Sequence, residues 1–268
     1  MMVKLIVFSV LALAWQICAA EGKGYDLSNA YLSPVNVAAQ NRSEWLALWA
    51  KDATIEDPVG GMVHGTDGHT LAEFWDTFIA GRDIHFDVKQ DYISTNTLIR
   101  DVVITTRTHG IEVPVPAILR YKVDSQGMIT SMEAFWEILE SSKPLATSGF
   151  SGVSLVTDLT YRLIKNQGLT GIVSMTKSYF PAGAKQRKKR TKELIQALAK
   201  GEYPKDIKLD ESQSREDVLE HFRDAVVLDK VIAAGKSVAF RYENLEGINI
   251  GIATFDDNDV IALDFYHL

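Results

Sequence analysis

The sequence predicts an α+β fold built as two tandem units. Three observations support this: apolar residues at helical spacing open each half, runs of strand-like alternation follow them, and short strings in the second half echo the first. A chain of 268 residues suggests one or two domains, and 46% hydrophobic with 24% charged residues is the make-up of a packed core with a solvated surface. The formal charge of −7 sets the molecule's field against phosphate backbones, so nucleic acid is not an expected partner.

Residues 1–20 read as an export signal, with Lys4, an apolar run from Leu5 to Trp15, and Cys18-Ala19-Ala20 before Glu21. That run is about 11 residues, short of the roughly 20 a membrane span needs. A secreted or periplasmic location follows, with no stable membrane insertion after cleavage. The remaining chain has no cysteine, which leaves no disulfide or thiolate ligand.

The first unit occupies 25–140. Trp45, Leu46, Leu48 and Trp49 in "RSEWLALWAK" predict a helix from Arg42 to Lys51. "DATIEDPVGGMVHG" then reads as a strand running into a turn. Ile55 and Asp57 share one strand face, and Pro58 biases Asp57 toward extended backbone. A second helix, "TLAEFWDTFIA", stops at Gly81. Four strand-like runs follow, "DIHFDVKQDYI", "TLIRDVVITTRT", "VPVPAILRYKV" and "MITSMEAFWEIL", the last two joined by the turn "DSQG". Pro114 and Pro116 each lack a ladder donor and suit an edge or a bulge. Asp101 and Glu112 read as solvated strand-face charges.

Residues 141–185 read as a linker carrying one helix, "VSLVTDLTYRLI", packed against one or both units. The basic run "KQRKKRTK" reads as a solvated helix start. The second unit, 186–268, repeats the first in shorter form: "ALAK" echoes "LWAK", "LEHFRD" echoes "LAEFWD", and "IKLDESQSRED" stands where the first has "IEDPVGGMVHG".

From Tyr31 to Leu139, the helix, the "EDP...HG" segment, the helix bearing Phe-Trp and the closing "GMITSMEAFW" resemble the ketosteroid isomerase and SnoaL-like branch of the nuclear transport factor two-like superfamily. The resemblance implies a cone, a curved antiparallel sheet wrapped on helices around an apolar pocket. It gives Asp57 the role of general base in proton transfer beside a carbonyl, a reaction that also needs a donor to the developing oxyanion. The family's donor aspartate falls at Leu119, which cannot donate. Its tyrosine falls at Ser33 by strict spacing, with Tyr31 two residues away in a segment interrupted by Pro34.

The candidate catalytic residues are therefore Asp57 and Tyr31, with Asp57 alternatively a plain turn acid. His64, Trp49, Phe74, Trp75, Leu119 and Trp136 are the candidate substrate-binding residues. For His64 the competing role is structural, and for the aromatic residues it is core packing. No cofactor is implied, and His64, His69 and His85 share no metal-ligand spacing. Three functions compete: an exported steroid delta-isomerase-like enzyme acting on a steroid-like or polyketide-like ketone, a noncatalytic binder of a hydrophobic small molecule, and a structural dimerisation module. The open face of such a sheet pairs with another, as a homodimer or as a domain pair within one chain.

Overall fold

The computed structural model describes residues 24–66, 68–108, 111–137, 157, 161–162, 164–166, 183–204, 207, 214–257 and 259–267. The export signal expected at 1–20 lies outside them, as does most of the linker. The first unit begins with α1 (Ser28–Ala38) and α2 (Arg42–Leu46), followed by β1 (Trp49–Glu56) and β2 (Val63–His64). Next come α3 (Leu71–Phe74), which continues as a π-helical turn over Trp75–Ile79, and strands β3 (Asp83–Ser94), β4 (Thr97–Thr108), β5 (Ile111–Val123) and β6 (Ile129–Phe135). Strands β3, β4 and β5 fall where alternation placed them, whereas β6 ends at Phe135, short of a run expected to reach Leu139, whose last two residues lie outside the described ones.

Two helix expectations for the first unit change. The helix predicted over Arg42–Lys51 stops at Leu46, and Trp49 begins β1. Trp45 and Trp49, four apart, mimic helical spacing, but the Leu48 carbonyl already accepts from the Ile129 amide of the closing strand. Their rings still meet, with centroids 5.0 Å apart. Helix α1, by contrast, runs unbroken through Pro34, which is buried within it.

Strand order in this sheet is β2-β1-β6-β5-β4-β3. All pairings are antiparallel except β1 with β6, which is parallel and sets Ile55 beside Met132. Register shifts in three of the pairings mark bulges, which bend strands and raise their twist. The β5–β6 pairing spans only Ile118 to Val123, so Pro114 and Pro116 lie in the stretch of β5 paired with β4 alone. Alternation sends Ala117, Leu119, Tyr121 and Val123 into the core beneath the helices, with Trp45, Trp49, Ile55, Phe74 and Trp75. Helix α3 carries a capping box, Thr70 with Glu73.

The C-terminal half holds α4 (Ala184–Ala199), α5 (Arg215–His221) and a four-stranded antiparallel sheet ordered β10-β9-β8-β7: β7 (Val226–Ala234), β8 (Ser237–Asn244), β9 (Gly247–Asp256) and β10 (Asp259–Tyr266). Two helices and a four-strand meander match α2, α3 and β3–β6, which is consistent with tandem copies. Among the described residues no strands correspond to β1 and β2. In the linker, Arg162 donates to the Ala80 carbonyl (2.7 Å) and Asn166 to Thr77 Oγ1 (3.1 Å), so these residues lie against the π-helical turn.

A third core joins the two sheets: Tyr92, Ile99, Ile118 and Phe135 pack with Ile232, Ala239, Ile250 and Ile252. Polar ties surround it. Arg120 holds Glu133 through both carboxylate oxygens and reaches Asp264 Oδ2 at 3.0 Å. The Tyr92 hydroxyl donates to the Ile248 carbonyl. Asp101, expected to be solvated, is only 2% exposed and meets Lys230 and Arg241 of the second sheet, because its strand face is covered by that sheet. Glu112 is exposed, as expected, beside Arg107. The basic run does start a helix, but Arg187 is buried and donates to the Gly235 carbonyl instead of facing water.

Candidate active site

Asp57 lies directly after β1, and the peptide joining it to Pro58 is cis. As expected, it follows a strand whose inner face carries Ile55, which is fully buried. Its Oδ1 accepts a hydrogen bond of 2.6 Å from Trp136 Nε1, the residue after β6. The parallel pairing of β1 with β6 brings these two strand ends together. Burial pushes the Asp57 carboxyl from 3.8 up to about 6, although the indole hydrogen bond favours the charged form. A carboxylate with that value is largely ionised at neutral pH and is a stronger base than an exposed aspartate.

Tyr121 is a member of the site that the sequence reading did not pick out. It is 3% exposed, and burial raises its phenol above the ordinary value, so it remains a neutral hydroxyl. Arg100 and a hydrogen bond with Ser33 pull its value down, whereas the negative charge of Asp57 pushes it up, which places all four side chains in one electrostatic neighbourhood. Arg100 was missed as well. It is buried, grips Asp91 with two hydrogen bonds of 2.8 and 2.9 Å, and lies 5.0 Å over the Tyr31 ring. Ser33, at the position of the family's tyrosine, accepts from Trp45 Nε1 at 3.1 Å. The missed tyrosine had a signal: Tyr121 follows Leu119 by two residues in a strand and so shares its core-facing side.

The other candidates divide by environment. Phe74 and Trp75 are buried at 3% and 2%, each beside Trp45, at 6.1 and 5.3 Å between ring centroids. Leu119 is buried in the same core. Tyr31, Phe78, Phe86 and Trp136 keep partial exposure at that core's margin. His64 pairs with Ile55 across β1 and β2 and is buried against the edge of Phe74 at 5.2 Å. Burial pulls its ring down to about 4, so it is neutral at physiological pH. Trp49 Nε1 and His64 Nδ1 are buried polar atoms with no hydrogen-bond partner among the described residues.

Residues 30–132 match the SnoaL-like domain family. No curated protein matches the chain. Among solved structures, RV0760c from Mycobacterium tuberculosis, in complex with estradiol-17β-hemisuccinate, is 28% identical over 42% of this chain and 93% of its own, with a TM-score of 0.38. The Δ5-3-ketosteroid isomerase from Mycobacterium sp. is 28% identical over 42% and 93% of the two chains, with a TM-score of 0.39. A computationally designed 17-OHP binder is 25% identical over 41% and 91%, with a TM-score of 0.37. Over residues 30–132 this chain is thus similar to the SnoaL-like domain family, in line with the resemblance read from its sequence.

Proposed function

We propose that the first unit takes a hydrophobic ketone and moves a proton between carbons next to its carbonyl, with Asp57 as general base. The observation that carries this is the Asp57 carboxyl, on a half-buried residue at the end of β1, tied to Trp136 and raised by desolvation to about 6. Asp57 removes the proton between the carbonyl and the β,γ double bond, the electrons pass to the oxygen as a dienolate, and the same proton returns at the γ carbon. Reactant and product are isomers, so no oxidant or cofactor enters the balance. Tyr121, kept as a neutral hydroxyl, is the donor we assign to the dienolate oxygen, with Tyr31 at the margin beside Arg100. Trp49 Nε1 and His64 Nδ1, without a partner among the described residues, are the groups we assign to polar atoms of the bound molecule.

An ultraviolet assay for conjugation of a β,γ-unsaturated ketosteroid tests this with the wild type, Asp57→Asn and Tyr121→Phe. Loss of two or more orders of magnitude is expected for Asp57→Asn, and a loss of about 10²-fold or more for Tyr121→Phe. Equal rates for the wild type and Asp57→Asn would remove Asp57 as base.

Leu119 supports a second reading, a noncatalytic binder, because an apolar side chain occupies the position of the family's protonated aspartate. Thermal stabilisation by steroids, with no conjugation activity, would select it. A ligand at 100 times its dissociation constant adds about 2.7 kcal/mol.

A further inference from the structure

The second unit grips both arms of the Asp57–Trp136 pair. On one arm, Gly60 lies three residues beyond Asp57 with φ +86, and its backbone touches that of Gly235 in the turn between β7 and β8. A Cβ on Gly60 would stand 2.2 Å from Gly235 Cα, and one on Gly235 would stand 2.7 Å from Gly60 Cα. The Gly235 carbonyl is itself held by Arg187 of α4 at 2.7 Å. Between Asp57 and Gly60, Val59 joins the core shared by the sheets, with Ile232 and Ala234, while its amide donates to the Ala134 carbonyl. The Gly60 amide donates to Glu56 Oε1 at 2.7 Å, tying the loop back to β1.

On the other arm, Glu137 directly follows the indole donor. Its Oε1 accepts from the Ala233 amide at 3.1 Å and pairs with Lys188 of α4. One turn and one helix of the second unit thus hold the residue after the donor and the loop after the base.

We infer that the second unit is a positioning device for the site, in which the β7–β8 turn and α4 set the separation of Asp57 and Trp136 through Gly60 and Glu137. This rests on the reading of Asp57 as the base. A hydrogen bond of 2.6 Å between ends of two strands is kept only while both ends are fixed, and small misplacements of a reacting group are costly in rate. Among the described residues, the groups coupled to the Asp57 carboxyl are the Trp136 indole and the Tyr121 phenol, and neither touches Gly235 or Glu137 in the contacts above. Gly235 and Glu137 are therefore positioning residues and not catalytic ones.

The test is an NMR titration of the Trp136 Nε1–H resonance in the full chain, with Trp136→Phe to assign it and Asp57→Asn to show that its pH dependence comes from Asp57. Gly235→Ala and Glu137→Ala are each expected to move the midpoint by about half a pH unit or more, a roughly threefold change in proton affinity. Glu137→Gln, which keeps an acceptor for the Ala233 amide, is expected to recover at least about half of that change. If Gly235→Ala does not fold, the Glu137 pair decides. Variants that unfold at lower temperature but keep the wild-type midpoint would overturn the inference and leave Asp57 as base. A wild-type indole with no titration that Asp57→Asn abolishes would overturn both.

Discussion

Asp57→Asn should stabilise the protein at neutral pH. The substitution keeps the shape of the side chain and leaves an amide oxygen for the Trp136 donor, which stands 2.6 Å from Oδ1. What disappears is the cost of holding a negative charge in the fold. Raising the carboxyl from 3.8 to about 6 corresponds to about 3 kcal/mol in favour of its protonated form. Asp57 keeps some solvent contact, which makes this an upper figure. Because the folded-state value lies above the unfolded one, the stability from the protonated group is whole below about pH 4 and is lost as pH rises through about 6. Denaturant unfolding of the wild type and the variant, followed by tryptophan fluorescence, reads this directly. From about pH 4 to about pH 7 the variant's advantage should grow by about 2–3 kcal/mol and then level off. An advantage that stays constant within about 0.5 kcal/mol over that range would refute a buried, perturbed carboxyl.

Two further outcomes are expected. His64, pulled down to about 4 by burial and then by His69, has a folded value below the unfolded one. Stability from its neutral ring is thus present above about pH 6.5 and lost as pH falls through about 4. Its ring NMR signals should keep neutral-form shifts down to about pH 5, and a midpoint above 6 would contradict this. Lys230→Met leaves Asp101 buried with Arg241 3.5 Å away, and should cost about 3 kcal/mol in thermal or denaturant unfolding. The double variant Asp101→Leu with Lys230→Met should recover most of the loss, because no buried charge remains unpaired.

Strand alternation and turn chemistry made the first unit legible: strands β3 to β5, the start of β6, the Asp124–Gly127 turn and the approach to Asp57 all follow from local residues. Local spacing misled at Trp45 and Trp49, where a tilted pair of rings four residues apart serves equally a short helix and the start of a strand. The remaining misses are pairings between distant residues. Asp101 reads as a surface charge until Lys230, 129 positions later, is brought against it. Trp136 was named for its ring, but its donation to Asp57 depends on two strand ends that meet only through the parallel β1–β6 pairing. Arg100 gave no sign in the sequence of being buried, since its partner Asp91 faces it across a hairpin.

The parallel β1–β6 pairing reverses the order in which the Asp57 carboxyl is made and seated. Strand β1 leaves the ribosome before the β3–β6 meander, yet apart from the two-residue β2 it has no neighbour until β6 arrives with Met132 beside Ile55. The meander assembles from adjacent hairpins, whereas docking β1 requires closing a long excursion, an entropic cost met late and a slow class of pairing. Any nascent chain that ends before β6 therefore carries Asp57 on an almost bare edge, chemically an ordinary surface aspartate.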